Sequence, residues 1–393
     1  LSFVANFWKQ LGGSAEMKLR QVALSLHRYI GYIAGLVLVF IALTGSLLVF
    51  KNEIDRFFEP QLLQVVPGEK RVPLQSVVDK VRFNYPELSI TSVDMPLPGE
   101  GVYKIWSESK SKQTVFLYVN PYNGDILGSR LQEKTLMDIL VNLHINLLMG
   151  ETGAVVVGIY GLLLLILCVT GLFLWPGWKK FASGFKIRWK APGKLINYDV
   201  HKVVGILSVA FLLLIVSTGV AMSFFTQFEK ALYSLTATPM PTIPSKSQPA
   251  AGRKTVAIDL ILSKAEQALP GTQTIWIDLP PDSQGLFRVG KRFSQDTSLS
   301  SASSDSQIFV DQYSGKVVRV NTVQNAPLAT QIIYSLYSLH IGSYGGLGMR
   351  IVYVLIGLAP VGLLFTGLVL WRQRQWAIAR RQEAIRRSQQ VIS

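Results

Sequence analysis

Histidine occurs four times in 393 residues, as His27, His144, His201 and His340, and each stands at the mouth of a hydrophobic span. Imidazole is the usual axial ligand of b-type haem iron, so two pairs of histidines would hold two haems. A single histidine at a membrane edge has a plainer reading, as an interfacial polar residue. Four at equivalent positions, with none elsewhere, point to a bound group. Zinc and copper also accept imidazole, but two histidines per face make a poor donor set for either.

The spacing around these residues repeats. His27 and His201 are each followed by a basic residue (Arg28, Lys202), then a glycine (Gly31, Gly205), then a Thr-Gly pair (Thr44-Gly45, Thr218-Gly219). His144 and His340 lead at matching offsets to Gly150 and Gly346, to Thr170-Gly171 and Thr366-Gly367, and to Trp175 and Trp371. The repeating unit is a span, an outer segment and a second span, used twice in the same order. Parallel repeats of this kind build membrane proteins around a pseudo-symmetric interior.

Four stretches, near 26–50, 152–176, 201–225 and 348–371, have the roughly 20 apolar residues a bilayer crossing needs, and none has an acidic residue inside it. The first is too long for a signal-peptide core and reads as an uncleaved anchor. The single cysteine, Cys168, lies in the second stretch, which excludes an intrachain disulfide and a cysteine metal site. The net charge of +15 is unevenly placed: the two ends, the 177–200 loop, Arg28 and Lys202 carry 17 of the 39 basic residues and 3 of the 24 acidic ones. This is the positive-inside pattern, not a nucleic-acid surface. It puts both termini and the middle loop in the cytoplasm and the two long segments outside, in the periplasm of a Gram-negative cell.

Each outer segment reads as a small α+β module. An amphipathic helix pattern (PLQSVVDKVRFNYP; VAIDLILSKAEQALP) precedes strand-like runs, and closing hairpins align as VNPYNGDIL and VDQYSGKVV. A Pro-rich linker (236–249) and a Ser-rich loop (294–306) interrupt the second module. LMDILVNLHINLLMG and ATQIIYSLYSLHIG read as helices lying at the outer interface. The expected segments are 1–50 (N-terminal segment and first span), 51–133 (first module), 134–176 (interfacial helix and second span), 177–200 (cytoplasmic loop), 201–225 (third span), 226–330 (second module), 331–371 (interfacial helix and fourth span) and 372–393 (cytoplasmic tail).

With a hydrocarbon layer about 30 Å thick, an inner histidine cannot share a haem with an outer one. The expected pairs are His27 with His201 and His144 with His340, one haem toward each face. Arg28, Lys202 and Arg350 are candidates for haem propionates, although Arg28 and Lys202 also serve as ordinary inner-face anchors. The Thr-Gly pairs would admit a macrocycle or a neighbouring helix, and Trp175 and Trp371 would end their spans in an aromatic belt. Tyr334, Tyr337 and Tyr344, around His340, would line an outer docking site or pack.

The LHRYIGY motif, the paired T-G-x-x-x-W endings, LHIN, LHIG and the outer hairpins resemble the PepSY-associated transmembrane family of bacterial inner-membrane proteins, over nearly the whole chain. The resemblance implies a membrane protein with an all-α core of four transmembrane helices, an internal two-fold parallel repeat and two periplasmic PepSY-like α+β modules. It also implies two b-type haems ligated by His27, His144, His201 and His340, and reduction of a ferric siderophore, hydroxamate-type, at the periplasmic face. No catalytic acid or base is needed for that reaction. The electron donor is not readable: no Gly-rich dinucleotide fingerprint stands on the inner side, which leaves a quinol, a cytoplasmic reductase or a small reductant. Three rival readings remain open: a haem conduit serving another reductase, a non-redox PepSY module that inhibits or senses, and a siderophore permease.

Overall fold

Uninterrupted apolar runs become long helices in the computed structural model, which describes residues 2–96, 101–132, 134–241, 246–247, 254–293 and 306–392. The Ser-rich loop up to residue 305 and part of the Pro-rich linker lie outside the described residues. The chain begins with α1 (Ser2–Leu48), α2 (Lys51–Phe58), α3 (Pro60–Leu63) and α4 (Leu74–Asn84), then β1 (Ser89–Asp94), β2 (Tyr103–Glu108), β3 (Thr114–Val119) and β4 (Ile126–Leu131). It continues with α5 (Leu136–Asn146), α6 (Gly150–Leu174), α7 (Phe181–Phe185), α8 (Gly193–Ser223), α9 (Phe225–Leu235) and α10 (Ile258–Ala268). It closes with β5 (Thr272–Asp278), β6 (Leu286–Phe293), β7 (Ser306–Asp311), β8 (Val317–Asn321), α11 (Leu328–Ile341) and α12 (Gly346–Ile392). Two units result: a helical one (through Val49, Leu143–Phe224 and from Ile351) and a sheet unit (Phe50–Asn142 and Phe225–Arg350).

Among the described residues four helices are long and apolar enough to cross a bilayer: Met17–Leu48, Gly150–Trp178, Gly193–Ser223 and Ser343–Arg387. Ile33, Leu36, Val169, Leu207, Leu355 and Phe365 point outward and stay more than half exposed. Apolar surface on that scale is stable only against lipid, and the chain is a multi-pass membrane protein. Small residues let the helices approach. A Cβ added to Gly35 of α1 would lie 2.5 Å from Leu364 of α12, and one on Gly161 of α6 would lie 2.7 Å from Val220 of α8. Gly31 of α1 faces Leu167 of α6, and Gly205 of α8 faces Leu363 of α12. Thus α1 and α8 each touch both α6 and α12. Helix α1 starts far upstream of the expected span, because the good helix formers of MKLRQVALSL continue the apolar helix toward the N-terminus. His27 therefore stands inside its helix instead of at the mouth, as does His201 in α8.

The sheet unit departs from the expectation of two separate modules. All eight strands form one antiparallel sheet in the order β4-β3-β2-β1-β5-β6-β7-β8, which runs outward from the centre in chain order on both sides. The join is β1 with β5, through Ser92↔Asp278, Val93↔Ile277 and Asp94↔Trp276. Each of these strands is the open edge of its own half, and an open edge is a row of unpaired amides and carbonyls. Pairing the two edges satisfies both. Helices α4 and α10 then share one core with the sheet: Leu74, Val77, Val78 and Val81, with Ile258, Ile261 and Ala265, cover Val93, Ile105, Leu117, Ile277, Val289 and Ile308. The closing hairpins turn at Gly124 (φ +70°) and Gly315 (φ +66°), a left-handed conformation that glycine adopts without steric cost.

The two helices also cap each other. Pro73 gives α4 no side-chain cap, and the amides of Leu74 and Gln75 donate instead to the Asp259 carboxylate at 2.9 and 3.0 Å. In return the amide of Ile258 donates to Oε1 of Gln75 at 2.9 Å. Losing a helix cap costs about 0.5–2 kcal/mol. Asp259→Ala, which strands two amides, is expected to reach the upper part of that range and Gln75→Ala the lower. Thermal unfolding of the sheet unit, followed by far-UV circular dichroism of the purified protein, reads the difference.

Candidate functional site

His27, His201 and His144 each have Nδ1 held by a threonine on another helix. His27 Nδ1 lies 2.9 Å from Oγ1 of Thr170 and 3.1 Å from the Leu167 carbonyl, both on α6. His201 Nδ1 lies 2.8 Å from Oγ1 of Thr366 on α12. His144 Nδ1, on α5, lies 2.9 Å from the Ile41 carbonyl and 3.3 Å from Oγ1 of Thr44, both on α1. A carbonyl oxygen only accepts. Each threonine hydroxyl spends its proton one turn back along its own helix: Thr170 on Ile166 at 2.6 Å, Thr366 on Gly362 at 2.7 Å, Thr44 on Ile41 at 2.9 Å. The imidazoles must therefore donate from Nδ1, which assigns the ring lone pair to Nε2.

The glycine after each threonine makes room for the ring. A Cβ at Gly45 would stand 2.7 Å from Cε1 of His144, at Gly171 3.2 Å from Cε1 of His27, and at Gly367 3.7 Å from Cε1 of His201. The Thr-Gly pairs, ambiguous in the sequence, are thus seats for imidazoles. Asn197, one turn before His201, donates to the Thr366 carbonyl at 2.9 Å and holds α8 to α12 at the same level.

His27 on α1 and His201 on α8 come together. Their ring centroids are 6.3 Å apart and their planes are 86° apart. Two metal–imidazole bonds of about 2 Å each, with the added reach from nitrogen to ring centre, make a separation of this size. Among the described residues no group of three or more His, Cys, Asp or Glu side chains could hold a metal ion. Zinc, which takes four ligands, is poorly served by such a pair. A haem brings its equatorial ligands with it and needs only two axial ones, which two neutral imidazoles with Nε2 lone pairs can supply. His340 is half-buried on α11.

The candidate propionate cations have protein partners. Lys202 Nζ donates to the carbonyls of Ser183 and Lys186, at 2.9 and 3.0 Å, and to Asp199 at 3.2 Å. Asp199, 1% exposed, also accepts from the Arg188 amide and guanidinium at 3.1, 2.7 and 3.0 Å. It ties the loop between α6 and α8 to the start of α8. Arg350 makes a bidentate pair with Glu53 at 2.7 and 2.8 Å and lies over the Phe50 ring. The guanidinium holds the Glu53 carboxyl below the usual carboxylate range, so the pair persists at neutral pH and is lost only as pH falls through that lowered value. The Arg28 guanidinium lies 5.2 Å from the Tyr29 ring centre.

The aromatic residues divide as well. Trp175 is buried against Trp178, Phe181 and Phe185 and donates to the Gly184 carbonyl, which makes it the core of the loop after α6 instead of a belt residue. Trp371 is 42% exposed and packs on Tyr32. Tyr334 packs against the cluster of Tyr233, Ala329 and Ile333, whereas Tyr337 and Tyr344 are exposed. Asp199 and Asn197 were not singled out in the sequence. The one signal for Asp199 was its being the lone acid in a basic loop.

Residues 24–374 match the family described as the PepSY-associated TM region. An uncharacterized protein of Pseudomonas aeruginosa is 35% identical over 86 residues, 21% of each chain, so the match spans about a fifth of that relative's length. The crystal structure of a candidate lipoprotein from Clostridium difficile 630 aligns at 9% identity with a TM-score of 0.27, over 66% of this chain and 97% of that one. That score is too low to relate the two folds.

The three glycines define a graded series. Gly45→Ala overpacks the His144 ring and is expected to cost about 1–3 kcal/mol, and Gly171→Ala less. Gly367→Ala meets only ordinary contact and is expected to be neutral or slightly stabilising, alanine being the better helix former by about 1 kcal/mol. Thermal unfolding in detergent checks the order.

Proposed function

The chain belongs to the PepSY-associated transmembrane family, and from that premise we propose that it is a di-haem b-type electron-transfer protein of a bacterial inner membrane that reduces ferric siderophores at the periplasmic face. The observation that carries the reading is the His27–His201 pair, at 6.3 Å between ring centres, with both Nδ1 atoms occupied by neighbouring helices. When bound, each haem supplies a one-electron redox centre.

His27 and His201 would be the axial ligands toward the cytoplasm, and His144 and His340 those toward the periplasm. The apolar helices around the inner pair exclude water. Arg28 remains the candidate for an inner propionate. Lys202 and Arg350 would take that role only by giving up Asp199 and Glu53. The electron comes from a quinol, a cytoplasmic reductase or a small reductant, and goes to Fe3+ in the siderophore, giving Fe2+. No covalent bond of the siderophore breaks. Hydroxamate oxygens hold the hard ferric ion far better than the ferrous one, so the metal is released. The chain's pattern also resembles that of the ferrioxamine siderophore reductase FoxB, which favours hydroxamates as the substrate class. The periplasmic placement of the sheet unit rests on the basic residues of the inner segments.

A pyridine haemochrome assay on the detergent-purified protein is expected to give two b-type haems per chain. His27→Ala or His201→Ala should remove one, and His144→Ala or His340→Ala the other. No haem in protein expressed with ample haem supply would end the redox reading. Pre-reduced protein should be reoxidised by a ferric hydroxamate. Failure of that step with both haems in place would leave a conduit for another reductase.

A further inference from the structure

We propose that Thr170, Thr366 and Thr44 are positioning residues that fix the tautomer and orientation of the histidines and set their strength as iron ligands. The proposal rests on the haem reading for its redox consequence, but its structural half stands without a cofactor.

Each of these side chains is buried within an apolar span, where a hydroxyl is costly unless bonded on both sides. Serving the helix alone would need only its proton, and that proton already goes to the helix's own backbone. The remaining lone pairs face the Nδ1 of His27, His201 and His144. These contacts, made by three different helix pairs, coincide with the Thr-Gly pairs at Thr44, Thr170 and Thr366. Thr218 holds the corresponding sequence position in α8, and its hydroxyl likewise donates back along its own helix, to Leu214 at 2.8 Å.

An acceptor on the far nitrogen of a metal-bound imidazole raises the ligand's basicity. A more basic ligand favours Fe3+ over Fe2+ and lowers the midpoint potential. The contacts are unequal. Thr366 and Thr170 lie at 2.8 and 2.9 Å, whereas Thr44 lies at 3.3 Å beside a closer carbonyl, that of Ile41. Thr366 and Thr170 therefore matter more, and both act on the pair toward the cytoplasm.

The test uses Thr→Val, which keeps the shape and removes the acceptor, with Thr→Ser as the conservative rescue. In spectroelectrochemical titration of the haem-loaded protein, Thr170→Val/Thr366→Val should shift one of the two midpoint potentials upward and leave the other in place. The serine pair should restore it, and Thr44→Val should move the second potential by less. An unchanged potential at full haem content overturns the proposal. The second measurement needs no haem. The chain has four histidines, so nitrogen NMR of the histidine-labelled full chain, prepared without haem supply, resolves each ring. His27, His201 and His144 should be Nδ1-protonated, and Thr366→Val should lose that preference at His201. An unchanged tautomer at His201 in Thr366→Val overturns the proposal even where haem binds, whereas absence of haem from the wild type bears on the functional reading alone.

Discussion

A polar N–H enclosed by apolar side chains must find an acceptor, and that requirement organises the centre of the helical unit. An imidazole left unpaired there would cost on the order of 1–3 kcal/mol. The backbone carbonyls of a helix are already engaged along the helix, and a threonine offers one more oxygen pointing sideways. Placing Thr170 opposite His27 and Thr366 opposite His201 satisfies the rings and fixes which helices are neighbours. The glycine that follows each threonine is the steric half of the same device, since a methyl group there would stand against the ring edge.

The constraint propagates outward. Because α1 and α8 each lean on both α6 and α12, the two histidines reach the interior from opposite helices and meet there. Asn197 and Tyr32 add contacts at the same level, to the Thr366 carbonyl and to Trp371. Before α8, Asp199 gathers Arg188 and Lys202, and the loop between α6 and α8 folds over a buried Trp175. A carboxylate buried to 1% exposure is tolerable because two cations and a backbone amide surround it. The outcome is a frame of packed helices around an imidazole pair.

The sheet unit solves a different problem by a similar economy. Each half alone would expose an edge strand, and each helix alone would lack an N-terminal cap. Joining β1 to β5 closes the edges, and exchanging Asp259 and Gln75 supplies the caps. The two halves therefore share one hydrophobic core.

Much of this was legible in the residue order. Hydropathy alone marks four helices, since a run of apolar residues without charges has few other solutions. The Asn-Gly and Ser-Gly turns announce their hairpins, because only glycine takes the required φ without strain. The offsets from histidine to Thr-Gly single out threonines that lie against imidazoles. What they do was decided only in three dimensions. Thr170 is 143 residues from His27 and Thr366 is 165 from His201, and no local pattern says which threonine faces which ring. The same holds for Lys202 and Arg350, whose charges read as available until Asp199 and Glu53 take them up, and for β1 and β5, whose pairing depends on two edges meeting. Sequence periodicity determines elements and their apolar faces; long-range hydrogen bonds and ion pairs, which cost nothing to omit in a list of residues and a great deal to omit in a folded interior, determine partners.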